Sequence, residues 1–322
     1  MAGIAPRESS TKDSGDFPRN LLEFTERFAT EGDCREYLKC LRWPDGFVCP
    51  RCGGTRAWAT RRGQYFCAAC KRQTSVTAGT VLHKSRVPLR GWFLAMWLAC
   101  TQQTGLSAAG LRRKLGIGSY RTAWLLMQKL RAAMVRLNRK RLKGLVEVDE
   151  AYVGGQEEGV SGCRLVNKCL VLVAVELDGD RMGRIRMRHV GDASARSLRG
   201  FVGDSVEPGS TVHTDGWSGY AGLERAGYVH QVTPTRGDEE ITAAEFPHVH
   251  LVISLLKRWL AGTHQGGVGS KHLQGYLDEF AFRFNRRKSR HVGKIFFRLA
   301  EQLVLHETTT YKGLMAREDP HH

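Results

Sequence analysis

The chain has 322 residues, 42% of them hydrophobic, enough to bury two or three compact units rather than one. Lys and Arg (49) outnumber Asp and Glu (32), giving a net charge of +17 and an isoelectric point near 9.8. An excess of that size points to a polyanionic partner, because cations that neutralise phosphates release condensed counterions, although a ribosomal or membrane-surface protein carries similar charge. The longest apolar run, Trp92 to Ala99, is far short of a membrane span.

Residues 1–20 are polar, with no apolar signal core and too little hydrophobic surface to fold, so a disordered leader in a cytoplasmic chain is expected. Apolar positions from Leu21 to about Cys40 predict one or two short helices, and residues 44–80, rich in Gly, Cys, Thr and aromatics, predict hairpins. Residues 88–137 are helical in pattern, with Trp92, Phe93, Met96, Trp97 and Cys100 on one face. Near Lys143 the character changes to strand-like runs at Gly144–Val148, Cys169–Glu176 and Ile185–Val190, with a hairpin tip expected at 154–163. A helix begins at Ser194, a strand at 210–214 enters a Gly-rich turn, and the chain is helical again after about Ala243, through Leu260 and over His272–Phe284. Mixed strands followed by helices indicate an α/β unit. There is no internal repeat, and the tail after Glu307 is expected to fray.

Cys49-Pro-Arg-Cys52 and Cys67-Ala-Ala-Cys70 are matched pairs with fourteen residues between them. Each pair sets two thiolates on one side of a tight turn, so the four make a closed tetrahedral Zn²⁺ site with no position left for water. The zinc is therefore structural, and it supplies folding energy to a segment with little core of its own. Without an export signal these thiols stay reduced, which argues against disulfides. Arg51, Arg56, Arg61, Arg62, Lys71 and Arg72 surround the site as a DNA-touching or simply solvated face. Cys34, Cys40, Cys100, Cys163 and Cys169 lack ligand spacing.

Residues 106–136 have the layout of a helix-turn-helix: Ser107 to cap a first helix, Gly116 to end it, Ser119 to cap a second, and Tyr120, Arg121 and Thr122 to face a groove. A plain helical hairpin with a basic outer face has the same pattern. Further on, Val146-Glu147-Val148-Asp149 and His213-Thr214-Asp215-Gly216 each end an apolar run in a carboxylate. An RNase H-like domain sets carboxylates on neighbouring strands in this way to hold two Mg²⁺ (Mn²⁺ is an alternative) that activate the attacking oxygen and stabilise the leaving one.

From about Phe24 to Leu303 the chain resembles bacterial insertion-sequence transposases with an N-terminal zinc ribbon and a DDE-type catalytic domain. The resemblance rests on VEVDEAYVGG (146–155), HTDGWSGY (213–220), SLLKRWLAGTHQG (254–266) and HLQGYLDEFAFRFNRR (272–287). It implies a leader (1–20), short helices with a zinc ribbon (21–80), a helical DNA-binding segment (81–140), an RNase H-like catalytic domain with a mixed sheet flanked by helices (141–305) and a tail (306–322). It also implies metal-dependent cutting and joining of DNA at terminal repeats, as a nucleoid-associated homo-oligomer.

Asp149 and Asp215 match the first two acidic positions of that family. The third departs from the pattern: where relatives have Glu seven residues before a helical Lys, counting back from Lys257 gives His250, with thirty-four residues between it and Asp215. An imidazole can ligate metal but brings no negative charge, and it could instead contact phosphate or move a proton. His248, Glu245, Glu239 and Glu240 remain rivals for the position; Leu255, near the place of an amide in other relatives, cannot serve. Lys257 and Arg258 are expected on DNA phosphates, with Arg121 and Arg286 also assigned to DNA; Arg283, Asn285 and Arg287 accompany Arg286 near DNA or the acidic site. Trp217 and Tyr220 are read as packing residues. A DNA-binding regulator that has lost its chemistry, and a structure-specific nuclease on the same fold, are the other readings.

Overall fold

A computed structural model describes residues 17–102, 104–154, 168–235, 238, 244–264 and 269–307. The expected leader, most of the 154–163 tip with Cys163, Glu239 and Glu240, and the tail lie largely or wholly outside them. Helix α1 (Leu21–Arg27) is capped by Asn20, and α2 (Glu31–Arg42) by a reciprocal Thr30–Asp33 capping box. Next come three short antiparallel strands, β1 (Ala57–Ala59), β2 (Gln64–Cys67) and β3 (Gln73–Ser75). The Arg42 guanidinium ties α2 to this sheet by donating to the Ser75, Val76 and Ala78 carbonyls.

Helices α3 (Leu89–Thr101), α4 (Ala108–Leu115) and α5 (Tyr120–Met134) follow. As expected, Ser107 caps α4 by accepting from the Gly110 N–H, and Gly116 ends it in the left-handed region (φ +62°). Ser119 sits at the α5 N-cap without making the expected side-chain bond. The core here is aromatic: Phe24, Phe28, Phe93 and Trp97 gather around Phe296 of the last described helix, α9 (Val292–Leu305). The C-terminal end of the described chain thus folds back into the N-terminal helices.

A second core surrounds a five-stranded sheet of β4 (Leu145–Val153), β5 (Cys169–Asp178), β6 (Arg181–Val190), β7 (Thr211–Thr214) and β8 (Val229–Val232), in the order β6-β5-β4-β7-β8. β4, β5 and β6 pair antiparallel, whereas β4, β7 and β8 run parallel. Period-two alternation splits the buried residues between two faces. Val146 and Val148 pack with Leu198 and Phe201 of α6 (Ala195–Ser205). Ala151 and Val153 pack with Val249, Val252 and Leu256 of α7 (Pro247–His264), and with Leu273 and Leu277 of α8 (Ser270–Phe284). The arrangement is a mixed sheet flanked by helices.

The apolar run that begins this sheet ends at Val148, but β4 continues to Val153 because β5 pairs with it up to Val153↔Cys169. Asp149 is therefore mid-strand. What ends nearby is the parallel partner: β7 pairs with β4 only as far as Glu147↔His213. Asp149 stands just past that point, at the mouth that parallel strands leave beyond their carboxyl ends.

The helical unit and the sheet unit meet through a buried ion pair. Arg131 Nε of α5 donates to Glu279 Oε2 of α8 at 2.8 Å, with both side chains almost fully enclosed and the guanidinium 3.8 Å over the Tyr276 ring. Removing one member of such a pair leaves an uncompensated buried charge, a cost of about 3–5 kcal/mol. Glu279→Ala should therefore lower the thermal midpoint sharply, while an Arg131→Met, Glu279→Leu double variant should lose much less. Equal losses from the two would show that the pair itself holds the units together.

Candidate functional site

In the N-terminal sheet the four cysteine thiols lie within 4.8 Å of one another. Cys49 and Cys70 Sγ are 3.6 Å apart, as are Cys52 and Cys67 Sγ; a tetrahedron with Zn–S bonds of about 2.3 Å has edges of about 3.8 Å. Each pair is wound by the same turn, the Gly53 N–H donating to the Cys49 carbonyl and the Lys71 N–H to the Cys67 carbonyl. Both donors are left-handed (φ +72° and +58°), so Lys71 adopts a conformation that Gly53 reaches without strain. Four soft thiolates in a closed shell suit a structural zinc. Arg51, Arg56, Arg61, Arg62, Lys71 and Arg72 are all exposed around it.

The acidic site lies at the open edge of the β4–β7 pairing. Continuing the register of Glu147↔His213 by two residues brings Asp215 level with Asp149. Asp149 is largely buried, with 18% of its side chain exposed. Burial, opposed by the Glu150 N–H that donates to its Oδ1 and reinforced by the charges of Asp215 and Glu147, pushes its carboxyl up to about 7. Asp215 is half-buried, and its Oδ1 accepts from the Trp217 N–H at 3.0 Å. His250 Nε2 lies 3.3 Å from Asp149 Oδ2, a close approach without hydrogen-bond geometry that leaves this buried nitrogen unpartnered. Burial lowers the basicity of this ring, so it is neutral near pH 7. Lys257, two turns along α7, is exposed and near enough for its charge to act on both Asp149 and His250.

Two carboxylates beside Asp149 have positions that composition alone does not reveal. Glu147, 2% exposed, faces α7 and accepts from the Val249 N–H (2.8 Å) and from His248 Nδ1 (2.7 Å). It thereby fills an orphan donor in the first turn of α7 and opposes the positive end of the helix dipole. The available signal was a charged residue two positions before Asp149 in an apolar strand, hence on the same face. Glu150 points to the other face, where it accepts from the Tyr220 hydroxyl at 2.8 Å. Its carboxyl is also pushed up to about 7, by burial first and then by Asp149 and Asp215 against the Tyr220 bond.

Of the rivals for the third position, His248 turns its Nδ1 to Glu147 and Glu245 stays on an exposed lead-in, so His250 is the one set against Asp149. Arg258 and Arg121 are exposed on α7 and α5. Arg286 is turned away from the acidic group: its guanidinium lies 3.8 Å over Phe282 and donates to that residue's carbonyl, and burial lowers its pKa to about 10. Its neighbours serve as clamps. Arg283 holds the Ala99 and Gln102 carbonyls, Asn285 bridges both backbone groups of Ile185, and Arg287 holds Met182 and Gly183. Tyr220 is fully buried, as a packing residue should be, but Trp217 is 52% exposed.

Residues 141–285 match the family described as the ISXO2-like transposase domain, and residues 29–73 match the transposase zinc-ribbon domain. Over 296 residues the chain is 29% identical to an uncharacterized protein in transposable element ISH50 of Halobacterium salinarum, an alignment covering 83% of this chain and 94% of that protein. The resemblance to insertion-sequence transposases is borne out by these matches.

Two measurements test the physical chemistry of these sites. Removing zinc, or Cys67→Ser, should open the 44–80 segment, read as lost zinc stoichiometry and a lower melting temperature; unchanged folding after complete zinc removal would sink the structural role. For Asp149, a pKa raised from 3.8 to about 7 means a stabilising contribution that is complete below pH ~4 and lost as pH rises through about 7. Without added divalent cations, Asp149→Asn should therefore melt higher than wild type at pH 8 and flatten the fall in stability between about pH 4 and pH 7. A steeper fall, or a lower midpoint at pH 8, would contradict the crowding of carboxylates.

Proposed function

We propose that the chain is a DNA transposase whose catalytic unit, an RNase H-like domain, cuts and joins phosphodiesters at the ends of its element. The observation that carries this reading is the nearness of the Asp149 and Asp215 carboxylates just past the end of the β4–β7 pairing, with His250 3.3 Å from Asp149 and Lys257 close enough for its charge to act on both Asp149 and His250. Asp149, whose proton affinity is raised by burial and by the charges of Asp215 and Glu147, is short of positive charge, and hard oxygen donors next to a phosphate substrate suit Mg²⁺ or Mn²⁺. Among the described residues only the four thiols gather three or more ligand atoms within 4.8 Å of one another; the acidic group is not drawn together that tightly.

Asp149 and Asp215 would hold the ions, with His250 beside Asp149 as the third group. When bound, such ions lower the pKa of the attacking water or 3′-hydroxyl and stabilise the leaving oxygen. The chain's own residues do the rest. Glu147 fixes the first turn of α7 and so sets His250 against Asp149; Tyr220 holds Glu150 and with it the turn after Asp215. His250, neutral and with Nε2 unpartnered, can ligate or accept a proton. Lys257 and Arg258 would neutralise the phosphates flanking the scissile one. The exposed cations of the zinc ribbon, together with Arg112, Arg113, Lys114 and Arg121 around the α4–α5 turn, offer a basic surface for double-stranded DNA. Joining two ends calls for at least two protomers.

His250 in place of a carboxylate also favours a second reading, a DNA-binding protein with weakened or lost chemistry. Mg²⁺-dependent cleavage of a labelled terminal-repeat duplex separates the two. Wild type should cut and transfer the strand, Asp149→Ala and Asp215→Ala should bind without cutting, and His250→Ala should lose roughly 10²-fold in rate. His250→Glu, which supplies the absent charge, should cut at least as fast as wild type. Binding by all variants with cutting by none would favour the regulator, and cutting without strand transfer would favour a nuclease.

A further inference from the structure

Trp217 is an aromatic residue held open beside the acidic site. It is two residues beyond Asp215, at most about 7 Å along an extended chain. Its N–H is bound by Asp215 Oδ1 at 3.0 Å, and its indole N–H points to the Ala193 carbonyl at 3.4 Å, so both ends of the residue are anchored. Gly216 makes the preceding turn in the left-handed region (φ +89°). Gly219 provides the seat: a Cβ there would lie 3.1 Å from Trp217 Cδ1 and 2.5 Å from the Leu198 side chain. Half of the residue remains exposed.

The other tryptophan equally exposed, Trp58 of the zinc ribbon, is stacked on Phe66 at 4.7 Å. Among the described residues no ring covers Trp217 in that way. An anchored indole with a free face is a stacking platform, and stacking on an aromatic residue is a contact that every nucleobase can make. The site next to it, on the reading proposed above, takes a phosphodiester, and the nucleoside attached to that phosphate comes within reach of the ring.

We propose that Trp217 stacks an unpaired nucleobase at the DNA end adjacent to the scissile phosphate, holding that end open in the acidic site. The inference rests on the transposase reading for the identity of the substrate but not for its own readout. The full-length, zinc-loaded protein is titrated, without added divalent cation, with two fluorescent terminal-repeat duplexes: one fully paired, one with a single unpaired nucleotide at the end. Wild type and Trp217→Phe should prefer the unpaired duplex by about fivefold or more. Trp217→Leu, which fills the same seat without a flat ring, should lose that preference while binding the paired duplex as before. With Mg²⁺, Trp217→Leu should cut the paired end more slowly than wild type, with the defect relieved on the unpaired end.

A preference retained by Trp217→Leu, or absent from wild type, would overturn the role of Trp217. Failure of every protein to cut would overturn the transposase reading alone, because the binding preference is measured without chemistry.

Discussion

The geometry of the acidic site depends on the carboxylate of Glu147. It is buried in the sheet, where an unpaired charge would be untenable, and its two oxygens are satisfied by the Val249 N–H and His248 Nδ1 at the start of α7. One side chain thus joins the strand that bears Asp149 to the helix that bears His250 and Lys257. The apolar contacts of Val249, Val252 and Leu256 press α7 onto the sheet, but they would tolerate a helix that slides. A charge-assisted pair of hydrogen bonds at the helix end does not, and so the depth of α7 along β4 is set.

Around that contact the molecule separates its charges by role. Exposed cations cover the ribbon and the α4–α5 hairpin, and Lys257 and Arg258 are exposed on α7. The carboxylates of the site are drawn inward, where burial raises the proton affinity of Asp149 and Glu150. A basic exterior attracts a polyanion without selecting a sequence; an enclosed acidic cluster rejects anions unless cations accompany them. Other cations are tied into the fold. Arg286 and its neighbours are consumed by carbonyls and aromatic faces, and Arg131 by Glu279.

Much of this was legible in the residues. Two matched cysteine pairs could be read as a zinc ribbon because ligand spacing is a local property, and the Ser107 and Gly116 caps are local in the same sense. Long apolar runs announced β5 and most of β6. β8 escaped notice because Val229–Val232 is an exposed edge strand whose pairing with β7, not its composition, makes it a strand. The end of β4 was misplaced for a related reason: a carboxylate closes the apolar run, but the hydrogen bonds to β5 carry the strand past it. Trp217 was taken for packing because exposure cannot be read from a single aromatic residue in a turn.

The sequence by itself determined the parts that depend on neighbours along the chain: the ribbon, the Ser107 and Gly116 helix ends and the basic balance. The tertiary structure decided which of those parts meet. Glu147 holds His248 while His250 lies against Asp149, and α9 joins the N-terminal aromatic core because Phe296 fits there. The pairing of β4 with β7 stops just short of Asp149 and Asp215, far apart in sequence, and leaves them close enough for the charge of one to act on the other. Such choices rest on hydrogen bonds and packing between residues distant along the chain, and no local pattern of residue types encodes them.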